Sequence, residues 1–178
     1  MIPFVFKNNN FVVCNKQALV LSVRAREKTD LRDCLGLRLE IELNTQIFPV
    51  HRLDYEVSGL ILYALNSKSH KASQDWFQNK LIRKKYKALT PTQDFSHWPK
   101  NIKTDLSPIK SNVDLFPITG KSHQLRLELS RRGFPIVGDS LYGSKNQHNE
   151  KGIALRAVEL NLSQIQDRMG LPELISLQ

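Results

Sequence analysis

Residues 51–54 read His-Arg-Leu-Asp, which puts an imidazole, a guanidinium and a carboxylate side by side at the entry to an apolar run, Gly59 to Leu65. A carboxylate in a loop held by a rigid strand can attack an electron-poor carbon, stabilise positive charge or move a proton. Aspartate in a loop also serves as a plain turn or capping residue. A metal site on His51 and Asp54 would need a third ligand, and none is evident in the sequence. Two other segments hold side chains able to act on a ligand. RKKYKAL at residues 83–89 sets Tyr86 among cations, and TGKSHQLRLELSRR at 119–132 carries Lys121, His123, Arg126, Arg131 and Arg132. Cys14 and Cys34 are too few for a disulfide framework and are expected as reduced, buried thiols.

The elements that must position these residues are partly legible. Phe11 to Asn15 and Ala18 to Ser22 are apolar and β-branched, as short strands are. Asp30 is placed as a helix N-cap with Asp33 at the third helical position, and Leu31, Cys34 and Leu35 then share one face. Gln46 to Val50 is a strand weakened by Pro49. His51 to Val57 is a loop, and Gly59 to Leu65 a strand buried on both faces. A helix is expected from a Ser67 cap to about Leu81, then a strand from Arg83 to Leu89. Thr90 to Ser111 shows no periodicity. Val113 to Ile118 is expected as a strand, Thr119-Gly120 as a turn, and Ser122 to Arg132 as a helix stopped by Gly133. Strands over Pro135 to Val137 and Ile153 to Leu162 follow, with turns at Gly138, Asp139 and Gly143, and Pro172 to Leu177 closes as a helical turn. This order lacks regular βαβα alternation. It predicts an α+β fold with a mixed, largely antiparallel sheet flanked by helices and a cleft on one face.

The chain has 178 residues, which suits a single catalytic domain over 1–178. The net charge is +9, and residues 79–132 alone hold 12 Lys/Arg against 4 Asp/Glu. Such a concentration fits a partner with a phosphate backbone. The start lacks a secretory signal pattern, and no apolar stretch reaches the roughly 18 residues of a membrane span. A cytoplasmic monomer without membrane contact is expected.

Three separated segments together resemble the RluA-type pseudouridine synthase family. HRLDYEVSGLILYA at 51–64 is similar to HRLDxxTSGLLLxA. FQNKLIRKKYKAL at 77–89 is similar to a segment F-x5-6-K-x-Y-x-A-L. TGKSHQLRLELSRRGFPIVGDSLYG at 119–143 is similar to TGRTHQIRVHLxxxGxPIxGDxxYG. Weaker matches are IALRAVEL at 153–160 and NNFVVCNKQALVL near the start, where Lys16 fits VVNKPxGL. The resemblance runs from about Asn10 to Leu162.

The resemblance implies isomerisation of uridine to pseudouridine in ribosomal or transfer RNA, without cofactor, metal or energy source. It assigns Asp54 as the catalytic carboxylate, Tyr86 as the ring against the uracil, and Arg126 as the fork that pairs with Asp54. Arg52 would enter the RNA stack where the uridine leaves it, and Leu155 would pack against the base. Lys84, Lys85, Lys121, Arg131 and Arg132 are candidates for RNA contacts that position without reading sequence. His51 and His123 are expected to be structural, and Gly59, Gly120 and Gly138 to meet backbone demands that a Cβ would obstruct. Val57, Lys121, Glu128 and Arg156 depart from the family pattern. The stretch before TGKSHQLR is short, so a trimmed sheet is expected there, and 53 residues before Asp54 leave no room for an S4 domain. Two alternatives stand beside this reading. One is a catalytically inactive RNA-binding module or RNA chaperone on the same fold, and the other a hydrolase using His51 and Asp54.

Overall fold

Strands β2 (Phe11–Lys16) and β4 (Ser58–Ala64) are apolar on both faces, and they pair antiparallel from Phe11↔Ala64 to Lys16↔Gly59. Successive side chains point to opposite faces, so each strand feeds two cores. Val12, Cys14, Ile61 and Tyr63 enter one core, with Leu35, Leu39 and Leu129 from helices α1 (Leu35–Leu43) and α3 (Gln124–Arg131). Phe11, Val13, Leu60, Leu62 and Ala64 enter the other, with Trp76 of helix α2 (Ser67–Gln78) and Ile165, Leu171 and Ile175 from the C-terminal segment. The computed structural model describes residues 2, 4–27, 29–91, 102–105 and 110–177.

The sheet runs β1-β2-β4-β8-β5-β7-β6, with β3 on β4 and β9 on β8. Here β1 is Phe4–Lys7, β3 Phe48–Pro49, β5 Arg83–Pro91, β6 Ile102–Asp105, β7 Lys110–Leu115, β8 Leu155–Asn161 and β9 Leu174–Ser176. Among the described residues β4 and β8 pair parallel and the other pairs are antiparallel, so the fold is α+β with a mixed, mostly antiparallel sheet. The parallel junction sits directly behind the 51–57 loop. It requires Gly59, whose φ is +114° and whose added Cβ would lie 2.1 Å from the Ala157 carbonyl oxygen.

Several local expectations are corrected. The first helix begins at Leu35, not after Asp30, because Asp30 instead holds Arg32 in an exposed ion pair at 2.6 Å. Ala18 to Ser22 is a turn with one bridge, Leu21↔Cys34, since Lys16 Nζ binds the carbonyls of Gln17 and Val20 and curls the chain. Asn66, not Ser67, caps α2 by accepting from the Ser69 N–H. Strand β7 ends at Leu115, three residues short of Ile118. Pro135 to Val137 is not a ladder strand, although Val137 bonds to Leu89 and Ala154. Residues 174–176 are strand, not helix, because β8 offers a free edge there. A strand pair, β6 with β7, does exist before TGKSHQLR, while 92–101 and 106–109 lie outside the described residues. Among the described residues no helix is long and apolar enough to cross a membrane.

Candidate active site

The 51–57 loop is fixed from three sides. Ser22 Oγ donates to the Leu53 carbonyl at 2.9 Å and accepts from the Leu53 N–H at 3.0 Å. The Leu19 N–H reaches the Tyr55 carbonyl at 2.8 Å, and the Ile153 N–H reaches that of Glu56 at 3.2 Å. Lys16 is buried, and its Nζ donates to the carbonyls of Val20, Gln17 and Tyr55 at 2.7, 2.9 and 3.4 Å. Burial lowers its pKa to about 8, with Asp54 and Glu56 acting the other way. His51 is pushed down to about 3, by burial first and by Lys84 next, so its ring is neutral. Its Nε2 accepts the Leu62 N–H at 3.0 Å, which ties the loop to β4.

Asp54 is half-buried within this loop. Its Oδ1 lies 3.8 Å from His123 Nε2 and its Oδ2 lies 3.8 Å from Arg126 Nη1. Burial raises its carboxyl above the usual value; His123 and Arg126 pull it down, Glu56 raises it and Arg52 pulls it down. Arg126 does approach Asp54, but at ion-pair distance and without a hydrogen bond. Its two-bond fork goes to Asp139, with Nε to Oδ2 at 2.7 Å and Nη2 to Oδ1 at 2.9 Å, both side chains being buried. The remaining Nη1 donates to Glu56 Oε2 at 3.1 Å. The expected fork on Asp54 is thus corrected: Asp139 takes the side-on edge of the guanidinium, Nε and Nη2, and Glu56 takes Nη1. The guanidinium also lies 5.1 Å from the Tyr142 ring centre.

Helix α3 and its N-cap deliver Arg126 and His123. His123 sits at its N-cap with φ 52°, a left-handed turn that aims the ring at Asp54, while its Nδ1 meets the Tyr142 hydroxyl at 2.8 Å. Strand β5 delivers Tyr86, and β8 delivers Leu155 two residue pairs along, opposite Ala88. Tyr86 is buried, which raises its hydroxyl pKa, Asp54 adding to the effect, so it stays a neutral phenol. Arg52, Asp54, Tyr86, His123, Arg126 and Leu155 surround a cavity of about 60 Å³. Arg52, Asp54 and Lys121 also line a larger adjoining cleft of about 750 Å³, which holds Lys80 and Lys84 as well.

Not every expected residue lies there. Lys84 faces the cleft, donating to the Thr119 carbonyl at 3.3 Å, and burial lowers its pKa. Lys85 points elsewhere and pairs with Asp114 at 2.7 Å. Arg131 and Arg132 are exposed at the end of α3, outside both cavities, and Arg132 pairs with Glu128. Gly59 and Gly138 meet the backbone demands expected of them, but Gly120 does not, since an added Cβ would touch only Lys84 Nζ at an ordinary 3.6 Å. Sequence reasoning passed over Glu56 and the role of Asp139. The signal for Asp139 was present, because it stands in the GDSLYG part of the third matched segment.

A half-buried carboxylate thus stands among basic side chains, beside a tyrosine ring and at the edge of an open basic cleft. The chain matches the family described as RNA pseudouridylate synthase over residues 10–131. Ribosomal large subunit pseudouridine synthase C of Rickettsia bellii (strain RML369-C) is 32% identical over 170 residues, covering 79% of this chain and 56% of that protein. Dual-specificity RNA pseudouridine synthase RluA of Vibrio cholerae is 31% identical over 169 residues, covering 79% and 68%. The solved structure of Human RNA Pseudouridylate Synthase Domain Containing 1 shares the fold, with a TM-score of 0.75 at 22% identity over 100% of this chain and 84% of that one. The fold is that of pseudouridine synthases. The chain belongs to the RNA pseudouridylate synthase family, as an RluA-type member. It spans about half the length of the Rickettsia relatives it matches.

Proposed function

We propose that this protein is a cytoplasmic enzyme whose residues 1–178 form one catalytic domain, which isomerises uridine to pseudouridine in ribosomal or transfer RNA. The observation that carries the reading is the convergence of Asp54, Arg126, Tyr86 and Leu155, from four separate elements, on one cavity that opens into a basic cleft. In the reaction the N1–C1′ bond breaks, the base turns, a C5–C1′ bond forms, and the C5 proton is exchanged for one at N1. Asp54 supplies the carboxylate that meets the electron-poor centre as the glycosidic bond opens. Arg126 keeps Asp54 ionised against the cost of burial. Tyr86 and Leu155 hold the uracil between a ring and an aliphatic face, with the Tyr86 phenol beside the reacting edge. Arg52, at the mouth, takes the place that the base leaves in the stack. Lys84 and Lys121 bind phosphates.

The test is Asp54→Asn. Pseudouridine has the mass of uridine, so products are read by chemical labelling and primer extension on RNA from cells lacking the protein. Wild type is expected to add at least one labelled site, and Asp54→Asn none. Identical maps from the two proteins would overturn the reading. The variant should melt no lower than wild type at pH 7. The Asp54 carboxyl is raised in the folded state, so its ionised form costs stability above that pKa, and Asn removes the cost.

A further inference from the structure

A lone exposed apolar side chain is ordinary on a protein surface, but one set among the cations of a cleft is placed to meet whatever fills it. Among the described residues the exposed large hydrophobics are Phe4, Val5, Leu19, Leu31, Ile41, Ile118, Leu141 and Leu174. Of these, Ile118 alone lines the basic cleft beside Asp54, and it is 70% exposed there. It stands three residues beyond the end of β7, in the loop that leads into α3.

That loop is braced. Thr119 Oγ1 donates to Gln124 Oε1 at 2.7 Å, the Lys121 N–H donates to the same oxygen at 3.3 Å, and Lys84 Nζ holds the Thr119 carbonyl. An isoleucine on a braced loop loses little entropy when it is used as a wedge. The cleft around it carries Arg52, Lys80, Lys84 and Lys121, so the occupant is a polyanion with flat apolar faces, which describes a stacked nucleic acid strand.

We infer that Ile118 is an apolar wedge that packs on the nucleobase next to the target uridine, so that Arg52 and Ile118, from two different loops, together hold open the gap in the RNA stack. This rests on the pseudouridine synthase reading of the same cleft. A wedge acts by compensating for lost base–base stacking. Its value is therefore large when the uridine starts stacked and small when it starts already unstacked. A loop residue with a purely structural role would not make that distinction.

The experiment uses the uridine mapped with wild-type protein, presented in two hairpins. In one it is stacked within the stem or loop, and in the other the same uridine is an unpaired bulge beside an abasic neighbour. Ile118→Ala is expected to lower kcat/KM about tenfold on the stacked hairpin and less than about twofold on the bulged one. Ile118→Leu should keep most of the activity on both. With 2-aminopurine as the neighbouring base, wild type should produce a different fluorescence change on binding from Ile118→Ala, because the wedge covers that base. Equal losses on the two hairpins, or no loss on either, would overturn the wedge while leaving the pseudouridine synthase reading intact. Absence of any mapped uridine with wild type would overturn both.

Discussion

Burial raises the Asp54 carboxyl, and His123, Arg126 and Arg52 pull it back, with Glu56 on the opposing side. Glu56 acts twice, because it repels Asp54 and also takes the Arg126 Nη1 that would otherwise be nearer to Asp54. Glu56→Gln removes a like charge, so Asp54 should hold its proton less tightly and stay ionised to lower pH. The acid limb of the kcat/KM profile is expected to move to lower pH in this variant, which a pH–rate series with the mapped RNA would read. A limb that stays in place would mean that another group sets it. In the sequence Glu56 is one polar residue in a loop, and Asp139, although it stands in the third matched segment, carries no mark of its bond to Arg126. A carboxylate's neighbours across 70 or 13 positions are chosen by packing, not by spacing.

At the scale of elements, the site depends on the parallel contact of β4 with β8. Gly59 allows the two strands to close, and that contact sets Leu155 against the loop that carries Asp54. Gly59→Ala would force a Cβ into the Ala157 backbone at a positive φ, at a cost of about 2–5 kcal/mol. The urea midpoint should fall accordingly, with activity falling further than the folded fraction does. An unchanged midpoint would show that the junction can spread. Strand β4 was legible because both its faces are buried, which leaves an unbroken apolar run. Helix α1 was misplaced by several residues because Asp30 has the chemistry of a cap and used it on Arg32. The 174–176 strand was missed because its reason for existing is an edge of β8, far from it in sequence.

At the scale of the whole molecule, a net charge of +9 does not act as a uniform coat. Four cations, Arg52, Lys80, Lys84 and Lys121, line the cleft, whereas Lys85 is neutralised by Asp114 elsewhere. RNA affinity should therefore fall with salt, with a log–log slope of about −3, by release of counterions from roughly four phosphates. Lys121→Ala should reduce the magnitude of that slope by about 1, and Lys85→Ala should leave it unchanged. Filter binding across a salt series decides this, and an equal effect of the two variants would mean that RNA binds beyond the cleft. The sequence by itself determined the α+β class, the buried strands and the three matched segments, because side-chain periodicity and motif residues are written locally. Only the tertiary structure decided which charges meet: that Arg126 forks onto Asp139 while Asp54 stands 3.8 Å away, and which lysines face the cleft. Electrostatic partners are set by distance and burial in three dimensions, and strand pairing brings together residues that no local pattern links.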